Sequence, residues 1–588
     1  SSLMPVLARL PRAYRFHQAR LFLDGEPLDT TPAVVRRRWW EGKGVDLLAT
    51  VDVAGLQPGW HTLTAIVEPN GSDKSSESRS LAAHFRVKPR QHKVSLRILN
   101  QHGEPRFGTV KLLVDQQAVE LGNIQDRLAD PSQRDVPRTR IFVTDGGATE
   151  FVNPGRYRMI ASGGIRDGID VQDVDITDDA DATFVVPRLI DTPGEVTADL
   201  HVHTAMSSDS FLSDTQRFRA LAAGGVEVAV VSDHNRIRDP RPALDMLGLA
   251  DEIETISGVE FRIGPSGESI GHGNAFPLKP NVKAVKPGNR TPGEVFDAWR
   301  MHHTNHPIDG DSTPLLIQLN HPRGIQFRPD RSHRYDAHAL FEEVGFKPAV
   351  PLRKQKDKRV RKWFKSKTKR FLSFDAMEVL NRFSIEGWNR VRKDWFDLLN
   401  RGYRITATGN ADSHTAELEP VGFPVNLVRR KDGAVSSFVD AIRNGEVRVS
   451  SGPLVSLSAK SGDMRSLPSH RLNSVEGPVT VSIRVQAVDW VDVDEVRLVV
   501  NGRVVFRDSV GTSPVDGTWE VPLNLKVDSW IVAEAGHPLD DLTRPEGTLY
   551  SRVAPGHVPI GFTNPIWFDV NGDGRFSTIG ARAGRGLQ

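Results

Sequence analysis

The sequence predicts a multidomain protein in which a central α/β domain, built as a parallel sheet or barrel, is flanked by all-β domains of the sandwich type. Three observations carry this. The chain has 588 residues, too many for one core and enough for about four domains at roughly 100–200 residues each. From about residue 193 to about residue 455, short apolar runs alternate with helical patterns. On either side, short runs rich in β-branched and aromatic residues are separated by Gly, Pro and Asp.

Residues 1–90 contain four such runs, Gln18–Asp24, Val34–Trp40, Val45–Val53 and Trp60–Pro69, and read as a first sandwich-like domain. Residues 91–192 contain VSLRIL, TVKLLV, GRYRMIA and DATFVV, each bounded by turn residues, and read as a second. The pattern changes at DTPGE. VTADLHVHT, the helical Asp214–Ala223 and VEVAVVSDHN follow, then LLIQLNHP, DAMEVLNRF, the helical Trp388–Asn400 and RITATGNADSH. Alternation of this kind indicates βα units over residues 193–455. Strand patterns return in VTVSIRVQAV, EVRLVVNGRVVF and TWEVPLNL, giving a C-terminal β domain over 456–588.

Composition excludes several classes. The formal net charge is +2, so bulk charge implies no nucleic-acid partner. The absence of cysteine rules out disulfides, thiolate metal sites and a Cys nucleophile. No run approaches the roughly 18 apolar residues that span a bilayer. No Walker loop, GxSxG elbow or dinucleotide fingerprint is present.

The chemistry lies in the central region. In Asp199-Leu200-His201-Val202-His203-Thr204, His201 and His203 are two apart on a strand and so project to one side. Two neutral imidazoles at that spacing can share a metal, and they also fit two surface histidines. The next apolar run ends in Ser232-Asp233-His234-Asn235. Further strand ends carry Glu260, His272, Asn320-His321-Pro322-Arg323 and Asp412-Ser413-His414. In α/β folds chemistry collects at the C-terminal ends of strands. Five strand ends finishing in His, Asp or Glu point to one metal site.

The ordered motifs DLHVHT, SDH, GVE, GH, NHPR and NADSH resemble the PHP (polymerase and histidinol phosphatase) metallohydrolases. Gly271–Pro277 (GHGNAFP) and Gly409–His414 (GNADSH) resemble their CehA/McbA-type branch. The resemblance covers about residues 195–455. It implies a distorted (βα)7 barrel with two or three divalent metals, Zn, Mn or Fe, at the strand C-termini. It also implies nine ligands. His201, His203, Glu260 and Asp412 would surround one metal. Glu260 would bridge to a second, held with His272 and His321. Asp209, His234 and His414 would hold a third. At Asp209 the family often has Asp-Gly where Ser210 follows here, and Asp214 competes for the place. The implied chemistry is attack by a metal-bridging hydroxide.

Other residues carry two readings each. Asp233, beside His234, suits a proton shuttle or a strand-end hydrogen bond. Arg323 suits an anion clamp or a structural ion pair. Glu378 and Asn381 end another strand and suit pocket lining or structure. The basic run Arg353–Arg370, with Trp363 and Phe364 inside it, suits a mobile lid over an anionic substrate, a surface contact or a solvated loop. Asp569, Asn571 and Asp573 resemble the start of a calcium loop, but position 12 is Gly580. Trp39, Trp40 and Trp60 suit a ligand platform or aromatic core. The leading expectation is a phosphoesterase acting on a phosphomonoester or diester. The alternatives are a carbamate or carboxylic ester hydrolase using the same site, and a binding protein with an idle site. Sandwich modules flanking an enzyme suit a periplasmic or secreted location.

Overall fold

The computed structural model describes most of residues 3–577; the longer undescribed stretches are 37–43, 70–78, 120–138, 325–337, 366–370, 541–545 and 578–588. The protein is multidomain and mostly β-sheet, with few helices.

The N-terminal strands form two antiparallel sheets. In one, Gly44–Asp52 lies between Leu3–Pro11 and Ala33–Arg36; in the other, Gly59–Pro69 lies between Phe16–Leu23 and Arg79–Val87. Leu21, Val51, Leu63, Ala65 and Val67 are buried together between them. The next pair of sheets follows from strict alternation. His92–Leu99 buries Val94, Leu96 and Ile98 on one face, the period-two pattern of a half-covered strand. These pack on Val110, Leu112 and Met159 of the facing sheet. Trp60 is 73% exposed, which removes it from an aromatic core; Trp39 and Trp40 lie outside the described residues.

The central region holds two ladders. Glu195–Val202, Val228–Val231 and Glu254–Ser257 pair in parallel. Leu316–Asn320, Ala376–Asn381 and Thr406–Asn410 also pair in parallel. Between them, Val259–Ile263, Gly271–Phe276 and Leu316–Asn320 pair antiparallel, where the alternating pattern predicts parallel strands. Only a short connection separates the first two, too short for the crossover that a parallel pair requires. Single parallel bridges join the ladders at both ends, His234 to Glu260 and Val202 to Ser413. The strand ends of both ladders therefore open towards one place.

The sheet does not stop where the strand-rich C-terminal sequence begins. Glu195–Val202 pairs with Val425–Arg429, which pairs with Val447–Ser450, and this strand pairs with Ile560–Thr563. From there the ladder continues through Ser529–Gly536 to Glu495–Val500. Trp388 and Trp395 of the helix Ile385–Leu399 share one core with Trp530, Phe562 and Trp567. Arg392 of that helix stacks on Trp388 and Phe396 and pairs with buried Glu534. Among the described residues no helix is long and apolar enough to cross a membrane.

The joint between the regions is tight enough to test. A Cβ on Gly561 would lie 2.1 Å from the carbonyl oxygen of Pro453, whereas one on Gly511 would meet nothing within 4 Å. We expect Gly561→Ala to destabilise the protein by about 3 kcal/mol, the cost of overpacking against backbone, and Gly511→Ala to leave the melting temperature unchanged. Equal melting curves for the two variants would show that this joint does not limit stability.

Candidate metal centre

The site is assembled from strand ends. His201 and His203 leave the Glu195–Val202 strand on the same side, as their spacing requires. Both are fully buried. The Nε2 of His201 lies 3.3 Å from Asp412 Oδ1 and 3.4 Å from Glu260 Oε1. The Nε2 of His203 lies 3.3 Å from the same Asp412 oxygen and 3.4 Å from Glu260 Oε2. Glu260 stands at the centre, because His234 Nε2 at 3.0 Å, His272 Nδ1 at 3.2 Å and His321 Nε2 at 3.4 Å also face it. Asp209 Oδ2 lies 2.8 Å from His234 Nε2 and 3.5 Å from His414 Nε2. Its competitor Asp214 points elsewhere, accepting from Arg238 at 2.8 and 3.0 Å.

Eight of these side chains fall into three groups, the first two sharing His203, and within each group the donor atoms lie within 4.8 Å of one another: His201, His203 and Asp412; His203, Asp209 and His414; His234, Glu260 and His272. His321 stands beside the last group through Glu260.

A further layer orients the rings. Glu378 Oε1 lies 2.7 Å from His201 Nδ1, and Glu378 Oε2 accepts the backbone N–H of His321 at 2.8 Å. Ser207 Oγ lies 2.9 Å from His203 Nδ1 and donates to Asp209 Oδ1 at 2.8 Å. Asn320 donates to Glu260 Oε1 at 2.9 Å and to Asn274 Oδ1 at 2.8 Å. Asn381 donates to Glu378 at 3.0 Å and to Asp412 at 3.3 Å. Arg217, from the first helix, donates to the backbone oxygens of His203 and Ser413 and thereby clips two ligand-bearing segments together. Arg382 pairs with Asp412 Oδ2 at 3.2 Å and Glu419 Oε1 at 3.0 Å, and reaches His414 Nδ1 at 2.8 Å. The backbone is strained here: φ is +25° at His321, +53° at Arg382 and +43° at Asp412.

The charges are strongly coupled. Burial works against ionised Glu260, Asp412 and Asp209, yet facing imidazoles hold Glu260 and Asp209, and Arg382 with His201 holds Asp412, well below the ordinary carboxylate range. Burial also disfavours a charged His201, but Asp412, Glu378 and Glu260 outweigh it and raise that ring well above its usual value. Burial pushes His272 down to about 3. Burial raises Asp199, under the site, to about 7 against N–H donation from His201 and Ala411.

The donor set fits divalent metal. It is largely buried, made of imidazole and carboxylate only, and the Nε2 atom of His203, which faces Asp412 and Glu260, has no hydrogen-bond partner among the described residues. An unsatisfied buried nitrogen is costly, and a cation between this lone pair and the carboxylates would satisfy them together.

Asp233 and Arg323 face protein groups. Asp233 accepts from the backbone N–H of Thr204 at 2.7 Å and from Arg238 at 3.1 Å. Arg323 donates to Asp394 at 2.6 Å and to the carbonyls of Phe341 and Phe346 at 3.1 and 2.7 Å, while bordering a small pocket with His321, Glu378 and Asn381. A second pocket is lined by Lys111, Arg140, Arg217 and Glu419 and by none of the cluster's imidazoles. In the basic run, Lys358–Lys365 is a helix whose Val360 and Trp363 enter the core; its last five residues lie outside the described ones. At the calcium-like loop, Asp569 accepts the N–H groups of Gly572 and Gly574, both at 2.7 Å, as in a tight turn.

Arg382, Ser207 and Arg217 were missed by sequence reading. Each acts through a contact between segments far apart in the chain or through an irregular loop, and neither leaves a periodic signal. Glu378 carried one: it ends a strand run like the ligand residues do.

Two outcomes follow. Glu378→Gln keeps the shape but removes the charge opposite His201, so metal affinity should fall about 10–100-fold, read from metal retained against a graded chelator; unaltered retention would show that Glu378 tunes nothing. Because the raised His201 must lose its proton before it can donate a lone pair, metal uptake by the metal-free protein should weaken as pH falls and release protons. Calorimetry in two buffers of different ionisation heat reads this, and identical heats would contradict it.

No family model matches the sequence, and no curated protein matches it. Among solved structures, the chain is similar to the lesion-specific endonuclease PfuEndoQ from Pyrococcus furiosus, at 13% identity and a TM-score of 0.25 over 42% of this chain and 56% of that one. It is similar to a streptococcal ancillary pilin at 11% identity and a TM-score of 0.13, over 36% of this chain and 75% of that one. It is also similar to the N-terminal Ig1-2 module of the Drosophila receptor protein tyrosine phosphatase DLAR at 12% identity and a TM-score of 0.08, over 31% and 98%. The chain thus spans little more than half of the endonuclease's length, and at these scores the likenesses carry no functional argument.

Proposed function

We propose that this chain is a metal-dependent hydrolase of the PHP type, CehA/McbA-like in its motifs, and that it acts on phosphoesters. The observation that carries the reading is the meeting of His201, His203, Asp209, His234, Glu260, His272, His321, Asp412 and His414 in one buried cluster, each within 4.0 Å of another member. On this reading residues 193–455 form the metal-bearing unit, flanked by β domains at 1–90, 91–192 and 456–588. The strands Glu195–Val202, Val228–Val231, Val259–Ile263, Gly271–Phe276, Leu316–Asn320, Ala376–Asn381 and Thr406–Asn410 form its distorted seven-stranded barrel.

The nine side chains would hold two or three divalent ions, with Zn, Mn and Fe suited to the donors. When bound, such ions supply Lewis acidity that activates water and polarises the oxygen under attack. The chain's own residues do the rest. Glu378, Ser207 and Asn320 fix the rings and Glu260. Asp233 holds the turn after His203 through Thr204 and so positions rather than shuttles. Arg323 is committed to Asp394 and positions the 341–346 segment. Arg382, part-exposed and paired with Asp412, Glu419 and His414, would exchange one of these partners to meet a substrate phosphoryl oxygen.

A second reading, hydrolysis of a carbamate or carboxylic ester at the same site, is favoured by one observation: Arg323 has its donors occupied by protein acceptors. An idle site is disfavoured by the completeness of the donor set. The test is turnover of a chromogenic phosphodiester and of a naphthyl carbamate, with and without chelator, by the wild type and Asp412→Asn. We expect chelator-sensitive phosphodiester hydrolysis, lost with metal in the variant. Carbamate turnover alone would select the second reading, and no turnover of either by fully metallated protein would sink both.

A further inference from the structure

A second group of imidazoles ends the helix Pro292–Asn305. The helix begins where Thr291 and Glu294 form a capping box with Pro292 in the first turn. His302 and His303 occupy its last turn and His306 caps it. Each ring has one nitrogen tied to a backbone carbonyl: His302 Nε2 to Lys283 at 2.8 Å, His303 Nε2 to Thr313 at 3.0 Å, and His306 Nδ1 to His302 at 3.0 Å. A carbonyl oxygen can only accept, so each of those nitrogens carries the hydrogen. The opposite nitrogen of each ring is then a bare lone pair. For His302 and His303 it is Nδ1, which in both is buried and has no hydrogen-bond partner among the described residues; His302 is the more deeply placed, only 8% exposed. A neutral imidazole whose N–H is fixed by a carbonyl is the usual outer arrangement of a metal-ligating histidine.

The geometry selects two of the three rings. Residues three and four apart are both neighbours on a helix, so spacing brings His302 and His303 alike towards His306, and the ring contact makes the selection. The rings of His302 and His306 have centroids 4.4 Å apart, tilted by 36°. Neighbouring pairs in the main cluster have similar separations, 4.5 Å for His203 and His414 and 4.9 Å for His201 and His203. Two imidazoles on one tetrahedral ion, with metal–nitrogen distances of about 2.0–2.1 Å, have centroids roughly 5 Å apart. The helix end also carries the partial negative charge of the macrodipole, which favours a cation there.

We propose that His302 Nδ1 and His306 Nε2 form a separate, two-imidazole site for a borderline divalent transition ion such as Zn²⁺, Ni²⁺ or Cu²⁺. His306 is exposed, so water completes the coordination, and the ion is held more weakly than in the nine-residue cluster. Affinity rises from Ni²⁺ to Cu²⁺. The ion pins the last turn of the helix to its cap. Neither histidine belongs to the main cluster, so the site does not rest on the hydrolase reading.

The test uses full-length protein with the main cluster loaded and excess metal removed. Equilibrium dialysis against micromolar Zn²⁺, with metal counted per chain by mass spectrometry, should find one extra, weakly held equivalent in the wild type. His306→Gln should lack that equivalent while keeping the tightly held ones, and His303→Gln should keep both. Trp299 lies against His302 with centroids 5.3 Å apart, so Cu²⁺ should quench an added share of tryptophan fluorescence in the wild type and not in His306→Gln. Equal metal counts and equal quenching in the wild type and His306→Gln would overturn the proposal. Loss of the weak equivalent in His303→Gln would overturn the ligand pair. Matching melting curves of metal-free wild type and His306→Gln establish that the exposed substitution leaves the fold intact.

Discussion

One buried carboxylate organises this protein. Glu260 is 1% exposed and faces five imidazoles, those of His201, His203, His234, His272 and His321. An isolated charge at such depth would cost several kcal/mol. It is tolerable only because positive charge, from protonated imidazole or bound metal, converges on it, and because Asn320 satisfies one of its oxygens. Those five rings come from four segments widely separated in the chain, His201 and His203 sharing one. The strands must therefore be held in a fixed order and register, or the carboxylate is left exposed to low dielectric without partners.

The register is held by a polar network beneath the cluster rather than by apolar packing alone. Asn426 donates to the backbone oxygens of Ala198 and Gly409 and to Asn410, and Asn410 in turn accepts the N–H of Leu200. Asn274 donates to the carbonyl of Leu200. Every one of these groups is buried, so a shift by one residue would orphan several donors at once. The network thereby makes the alternative registers costly and keeps His201 and His203 pointing inward.

The C-terminal strands supply a second constraint from outside. Their direct pairing onto Val447–Ser450 extends one sheet from the region of the cluster into the last hundred residues. Arg392 and Glu534 close the other flank, one on a helix packed on the Ala376–Asn381 strand and one on a C-terminal strand. The rear of the cluster is thus braced by chain that carries none of its donor atoms.

Much of the cluster is legible in the sequence: strand-end His, Asp and Glu, two of them at i, i+2 spacing, stand out because a strand's side-chain period is fixed by its backbone. The sequence also determined the strand-rich flanks and the helix Asp214–Ala223. It left open whether Asp209 or Asp214 joins the cluster, and whether Asp233 and Arg323 face it. Only tertiary structure decided these, by placing Arg238 against Asp214 and Asp233 and Asp394 against Arg323. It likewise decided the antiparallel pairing of Val259–Ile263 with Gly271–Phe276 and the entry of Arg382 beside Asp412 and His414. The reason is physical: periodicity reports which way a side chain leaves its own strand, but the partner it meets depends on loops whose closure is written in no local pattern.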